Sequence, residues 1–180
     1  MVAFAAGRGS GIALVTEYEE SYFGGGPYSH YEDFSQHETR LRRIIALTHP
    51  KTVLDVGCAY GFMVRRLLKE GIDAHGCDIS KWCQKQAETI IPGRYHLAPA
   101  DCLPFPDKSF DTLYCEGVLE HLTEAEVAGA FKEFERVARQ RVLAITFGQP
   151  HTDGHLCNHD KEWWYDRIPG DSFLYVGSTS

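Results

Sequence analysis

Asp55, Asp78, Asp101 and Glu116 each stand where a short apolar run stops. An ionised carboxylate only accepts hydrogen bonds, so four of them in order suit a ligand built of hydroxyls, amines and positive charge. Small residues follow the first acid at once, in Gly57-Cys58-Ala59-Tyr60-Gly61. With no side chain at Gly57 or Gly61, such a turn lets a ligand lie directly against backbone. His121 and His155 are the candidates for handling a proton near neutral pH. For His121 the competing role is to organise its own loop by hydrogen bonding.

The elements that must position these groups alternate along the chain. Ser35-Gln36-His37-Glu38 reads as a capping box, followed at helical spacing by Leu41, Ile44, Ile45 and Thr48, with Pro50 as a stop. Strand Thr52–Val56 feeds the small-residue turn and a helix from Gly61 to Glu70, closed by Gly71. Strand Ala74–Cys77 ends in Asp78, and Ser80 caps a helix to Ile90. A short strand at Tyr95–Ala98 runs towards Asp101, and a Pro-rich loop leads into strand Phe110–Cys115. Thr123-Glu124-Ala125-Glu126 is a second capping box, opening a helix with Val127, Ala130, Phe131, Phe134, Val137 and Ala138 on one face. Strand Val142–Phe147 follows, then a polar loop, a short helix capped by Asp160 and a last strand at Phe173–Val176. Alternating strands and helices predict an α/β fold: a doubly wound, mostly parallel sheet with helices on both faces.

In such sheets ligands bind beyond the carboxyl ends of the strands, where all four acids fall. Asp78 ends the second strand, the place of a ribose-binding acid, so an adenosine-type cofactor is expected. A dinucleotide fingerprint beginning at Gly57 needs glycine at positions 59 and 62, which are Ala59 and Phe62. The spacing and the acids favour a compact, cationic ligand over a pyrophosphate.

These segments resemble the class I S-adenosylmethionine-dependent methyltransferases, of the type 11/12 kind. Val53 to Gly61 looks like their first motif, with Ala59 where a middle glycine is usual. Gly76-Cys77-Asp78-Ile79-Ser80 resembles the second-strand acid. Asp101 to Asp111 resembles the adenine-side acid with its "LPFPDxSFD" run, and Glu116 to Leu122 the fourth-strand "VLEHL" motif. The resemblance implies a Rossmann-like, three-layer fold of strand order 3-2-1-4-5 with at most one or two further strands and a shortened C-terminus. It implies S-adenosylmethionine as cofactor and S-adenosylhomocysteine as product. Asp55 and the Gly57, Cys58, Ala59 and Gly61 backbone are then expected at the methionine part, and Asp78 at the ribose. Ile79 is expected against the adenine, Asp101 at its amino group, the Cys102 amide at its ring and Glu116 at the methionine end. Asp153-Gly154-His155 with Trp163-Trp164 is similar to a pattern of some small-molecule and sugar-directed members, which adds His155 to the substrate site.

Residues 35–180 are expected to form one domain, preceded by a leader and an aromatic lid or packing arm over residues 1–34. The formal net charge of −7 argues against a nucleic-acid partner. The basic clusters Arg40/Arg42/Arg43, Arg65/Arg66/Lys69 and Arg136/Arg139/Arg141 are expected on solvated helix faces. His151, His155, Cys157 and His159 lack the paired spacing of a zinc module, so no metal is expected. The six cysteines follow no disulfide pattern, which fits a cytoplasmic setting, and no apolar run has the length of a membrane helix. The expected acceptor is a small or sugar-linked molecule, with a homodimer covering an exposed sheet edge. The alternatives are a non-catalytic cofactor-binding protein and an NAD-dependent oxidoreductase.

Overall fold

The computed structural model describes residue 23, residues 36–145 and residues 155–176. In chain order the elements are α1 (Gln36–Thr48), β1 (Thr52–Val56), α2 (Phe62–Lys69), β2 (Asp73–Asp78), α3 (Lys81–Ile90) and β3 (Tyr95–Leu97). They continue with β4 (Phe110–Glu116), a 3-10 turn (Leu119–His121), α4 (Glu124–Val137), β5 (Ala138–Ile145), α5 (Lys161–Tyr165) and β6 (Ser172–Val176). The sheet has order β3-β2-β1-β4-β5-β6 and all of its strand pairs are parallel. This is the expected doubly wound sheet, with one strand beyond the first five.

Strand alternation sorts the core into two layers. Leu54 and Val56 of β1 and Leu113 and Cys115 of β4 face α4 and α5, packing with Phe131, Phe134 and Trp164. Val53 and Tyr114 face the other way, onto Ile44 of α1, Leu67 of α2 and Cys83 and Ala87 of α3. Period two then puts Asp55 on the α1–α2–α3 side of β1, directly across from Tyr114 on β4 and Gly76 on β2.

Local signals explain the element ends. Gly71, at φ 78°, closes α2 with Ile72 N–H returning to the Leu67 carbonyl. Ser80 Oγ accepts from Cys83 N at 3.1 Å, and Thr123 with Glu126 forms the complete capping box of α4. The residue before α1, Ser35, lies outside the described residues, as do the lid segment apart from Phe23, and Phe147.

One boundary differs from the sequence expectation. β5 begins at Ala138, straight from the end of α4, four residues earlier than the apolar run suggests. Arg139 and Arg141 therefore sit on a strand, not a helix. Arg141 is buried, and its cost is met by Ser172 Oγ (3.1 Å from Nε) and by the Ala138 and Gly170 carbonyls.

Arg136 explains the Pro-rich loop. Its guanidinium donates to the carbonyls of Phe105 (2.7 Å) and Leu103 (3.0 Å), to Asp107 and to Glu133. Glu133 in turn accepts from Leu103 N–H at 2.8 Å. Lys108 Nζ completes the clamp on the Glu135 and Ala138 carbonyls. Loop residues 103–108 are thus fastened to α4 although they carry no regular structure. Arg136→Met should destabilise the fold by about 2 kcal/mol, because charge-assisted bonds are lost and two loop carbonyls lose their donor. Urea unfolding reads this; a change under about 0.5 kcal/mol, the range of an ordinary surface substitution, would show that the clamp carries nothing.

Candidate functional site

β1 delivers Asp55 one residue before its end, at the carboxyl edge of the sheet. The carboxyl is buried, and its pKa is pushed up to about 8, first by burial and then by the neighbouring charges of Glu116 and Asp78. Arg40 acts in the opposite direction. Asp55, Asp78 and Glu116 therefore share one electrostatic neighbourhood, as their places at three adjacent strand ends require.

The turn after β1 is fixed by its backbone. Gly57, Ala59 and Gly61 all take the left-handed region, at φ 79°, 45° and 82°. Gly57 N–H continues the β1–β2 ladder to the Cys77 carbonyl at 2.8 Å, and Gly61 N–H closes the turn on the Cys58 carbonyl at 2.8 Å. A methyl group at Gly57 would run into Val118 Cγ2, and one at Gly61 into Ile91 Cδ1. Ala59 bears the left-handed strain that a glycine would avoid. The buried Cys58 thiol fills the space left by the missing side chain of Gly76, where an added Cβ would come within 2.5 Å of the sulfur. Burial and the charges of Asp78 and Asp55 push its pKa well up, so it stays a thiol.

Asp78 ties the turn to the next strand. Its Oδ2 accepts from Ala59 N–H at 2.9 Å and its Oδ1 from Ser80 N–H at 3.0 Å. Burial raises its pKa, while these backbone bonds and one from Ile79 oppose the rise. A carboxylate has about four acceptor sites, so these bonds leave room for ligand hydroxyls. Ile79 beside it is 43% exposed, an apolar surface open at the sheet edge.

Glu116 ends β4. Tyr114 OH donates to its Oε2, and Arg40 Nε of α1 lies 2.6 Å from the same oxygen. Arg40 is the site residue missed by sequence reasoning, which set it among solvated basic residues. The available signal was its spacing: His37, Leu41 and Ile44 are the buried stripe of α1, and position 40 falls on that stripe. Arg42, off the stripe, pairs with Glu38 at the surface as expected.

Asp101 and Cys102 follow β3 and are exposed. Asp101 packs against Gly129 of α4, where an added Cβ would meet its own at 3.0 Å. The Cys102 N–H, expected to meet a ligand ring, donates to the Pro99 carbonyl at 3.2 Å. Cys102 is also the exposed exception among six free cysteines.

His121 and His155 come together. The N–H groups of Leu156 and Cys157 both donate to the Glu120 carbonyl, at 2.9 and 3.0 Å, fastening the segment after β5 to the 3-10 turn after β4. The two imidazoles meet edge to face with ring centres 4.7 Å apart. Trp164 belongs to the core and is fully buried. Trp163 carries His159 stacked on its ring at 4.0 Å, and Arg167 lies 4.1 Å from its centre. Among the described residues no group of three metal-ligating side chains forms; His151 lies outside them. Phe23, from the expected lid segment, packs on Tyr60 of the glycine turn with ring centres 5.3 Å apart.

A cleft of about 450 Å³ lined by Thr48, His49, Lys51, Asp111, Arg139 and Gln140 lies at the other end of the strands. It is remote from all four acids. No helix among the described residues is long and apolar enough to cross a membrane.

The sequence profile of the methyltransferase domain family matches residues 54–146. The chain is 25% identical over 134 residues to an uncharacterized methyltransferase of Geobacillus sp. strain WCH70, covering 72% of this chain and 62% of that protein. It is 39% identical over 77 residues to the tRNA U34 carboxymethyltransferase of Nautilia profundicola, covering 39% of this chain and 26% of that enzyme. The chain thus spans less than two thirds of the length of either relative. Among solved structures, a chain of the complex between the Haloferax volcanii Trm112 methyltransferase activator and the putative methyltransferase superposes with a TM-score of 0.69 at 18% identity, covering 86% of this chain and 76% of its own. The YcgJ protein of Bacillus subtilis gives 0.60 at 22% identity, over 73% of this chain and 66% of its own. These likenesses show the fold. The profile match runs from within β1 past the end of β5 and takes in the glycine turn and all four acids; the chain belongs to the methyltransferase domain family and has its class I, Rossmann-like architecture.

Proposed function

We propose that residues 35–180 form one S-adenosylmethionine-binding domain that transfers a methyl group to a small-molecule or sugar-linked acceptor. The observation that carries this reading is the donor set: Asp55, Asp78 and Glu116 offer acceptor oxygens around a glycine turn, and cations and hydroxyls meet such oxygens where a pyrophosphate does not. The parallel order 3-2-1-4-5-6 is shared with dinucleotide-binding folds, so strand order alone leaves both ligands open. Ala59 and Phe62, where that fingerprint needs glycines, favour the sulfonium nucleoside.

The bound donor supplies a methyl group on a positively charged sulfur. Asp55, Glu116 and the turn from Gly57 through Cys58 and Ala59 to Gly61 hold its methionine end. Asp78 accepts from the ribose hydroxyls, Ile79 covers the adenine and Asp101 accepts from its amino group. Cys102 serves through its turn with Pro99, which sets the position of Asp101. Transfer is an in-line displacement, so the chain's main task is alignment and exclusion of water. Where the acceptor loses a proton, the His121–His155 pair stands on the acceptor side to take it. The Nautilia relative is named for action on tRNA, and the match takes in 26% of its length. The net charge of −7 favours a small acceptor for this chain.

Calorimetry with S-adenosylmethionine, S-adenosylhomocysteine and NAD tests the donor; binding of NAD with neither sulfur nucleoside overturns the reading. Asp78→Ala should weaken S-adenosylhomocysteine binding by about tenfold or more, one charge-assisted bond's worth. It also strips acceptors from the Ala59 and Ser80 amides, so its unfolding midpoint should fall as well. Unchanged affinity in a folded variant removes the ribose assignment. Formation of S-adenosylhomocysteine with a panel of hydroxyl and amine acceptors, with tRNA as a further arm, tests turnover.

A further inference from the structure

We infer that His75 and His96 form a proton-operated catch on the edge strand β3, which holds the strand and the segment leading to Asp101 at neutral pH and releases them in acid. The inference concerns the strand and does not depend on the donor proposed above. β3 is three residues long and outermost in the sheet. It pairs with β2 in the register Gly76↔Tyr95, Cys77↔His96 and Asp78↔Leu97. A strand with so few ladder bonds stands at the low end of local stability, so the side chains across the seam matter. On one face Tyr95 OH donates to the Ser80 carbonyl at 2.7 Å. On the other the histidines meet, with His75 Nδ1 and His96 Nε2 2.9 Å apart.

The hydrogen bonds of this seam run in one direction. An arginine only donates. Arg94 Nη1 lies 3.0 Å from His75 Nε2, so that nitrogen accepts. The His75 proton then sits on Nδ1 and is donated to His96 Nε2. Each neutral ring has one lone pair, and both are used, which leaves none for a metal ion. There is no place for a further proton either: on either ring it turns an acceptor into a second donor. It also makes a new cation close to Arg94. Asp73 pairs with Arg94, stands 4.0 Å from His75 Nε2 and acts the other way. Phe105 and Phe110 pack against the rings, at 4.7 Å from His96 and 6.1 Å from His75, and neither supplies a counter-charge. Burial, Arg94 and the pairing itself hold both imidazoles below the ordinary histidine range. When β3 lifts, the rings part and each titrates at its ordinary value near 6.5. The released strand therefore binds more protons than the held one. The hold is complete above about pH 7 and is lost as pH falls below about 6.5. The competing role, in which the two rings only fill the seam, predicts no pH dependence of their own.

The chain's own thiols read the release. Cys77 is fully buried at the seam, with its Sγ donating to the Ala98 carbonyl at 3.3 Å. Cys102 is exposed, and Cys115 is buried on β4 near the middle of the sheet. Labelling with methyl methanethiosulfonate at pH 7.5 and pH 5.5, read by peptide mass spectrometry, gives the rate at Cys77 relative to Cys102, which cancels the reagent's own pH dependence. In the wild type this ratio should rise on acidification by about tenfold for each imidazole freed, and so by up to about a hundredfold for the pair. In His75→Gln/His96→Gln it should stay within about twofold, because no titrating group is left at the seam. His75→Gln and His96→Gln alone should each lose about tenfold of the rise, and give the readout should the double variant fail to fold. Arg94→Gln should show a smaller rise than the wild type, since without that charge the held pair takes up a proton more readily. A wild-type ratio that does not rise, or that rises equally in the folded double variant, overturns the inference. Labelling of Cys77 no faster than that of Cys115 at pH 5.5 overturns it too, because the whole molecule then opens and not its edge.

Discussion

Asp55→Asn is expected to give a protein that is more stable at neutral pH and binds its donor at least about a hundredfold less tightly. The stability gain follows from burial. Asp55 titrates near 8 in the folded chain and near 3.8 in an ordinary environment. Between these values the folded state holds a proton that the unfolded state has released. The folded state is thus favoured by acid, and the contribution of Asp55 turns against folding as pH rises from about 4 to about 8. Asparagine carries no charge to desolvate, so the gain should be on the order of 5 kcal/mol at pH 8 and should shrink towards pH 5. The affinity loss arises because the variant gives up the ion that the cationic methionine end selects. Guanidinium unfolding at pH 5 and pH 8 reads the first effect, and calorimetry the second. A stability difference that does not change with pH would show that Asp55 is not held protonated by its surroundings. By the same linkage, binding of the proposed donor to the wild type should release a proton and strengthen as pH rises through 7. A stable fold and a competent site compete for this carboxyl, as is common where burial tunes a functional group.

Gly57→Ala is expected to cost about 3 kcal/mol of stability. Two physical causes combine. At φ 79° an alanine pays about 1–2 kcal/mol for the left-handed region, and its Cβ runs into Val118 Cγ2, an overpacking that costs about 1–3 kcal/mol. The two can be separated. Val118→Ala in the same chain removes the collision and leaves the backbone strain, so the double variant should lie closer to Val118→Ala than Gly57→Ala lies to the wild type. Urea unfolding of the four proteins gives the coupling directly; additive losses would mean that the turn relaxes without contact between these residues. The result bears on function because Val118 belongs to the loop after β4, which leads into the 3-10 turn carrying His121. Position 57 is therefore where the glycine turn and the loop leading to His121 touch.

Much of this was legible because strands end where polarity begins. Asp55, Asp78 and Glu116 were readable as strand-end acids, whereas Asp101 stands four residues beyond β3, and the turn from Gly57 to Gly61 was readable as a close approach of backbone. The start of β5 was not readable. Arg139-Gln140-Arg141 has the composition of a surface helix, and what makes Arg141 fit a buried strand is Ser172 and the Gly170 carbonyl, some thirty residues further on. Arg40 was half readable: its spacing put it on the buried stripe of α1, but its partner is Glu116, on a strand far along the chain. The contact of His121 with His155 was likewise hidden, since it depends on two amides finding the Glu120 carbonyl. Local pattern reports a residue's face; long-range partners decide what it does there.

The clamp of Arg136 and Glu133 on residues 103–108 has a consequence for motion. Backbone amides exchange with solvent when the unit that holds them opens, and each unit has its own opening free energy. The Leu103 amide bonds to Glu133, and the Lys108 amide to the Arg136 carbonyl, so both belong to the opening unit of α4 although they lie in a loop. The edge of the site next to Asp101 is in this sense part of a helix. The opposite edge, near His155, is tied to the body by the Glu120 carbonyl, by the buried Cys157 and by His159 on Glu124. Amide exchange in the loop at 103–108 should therefore follow the opening of α4 and not that of an ordinary surface loop.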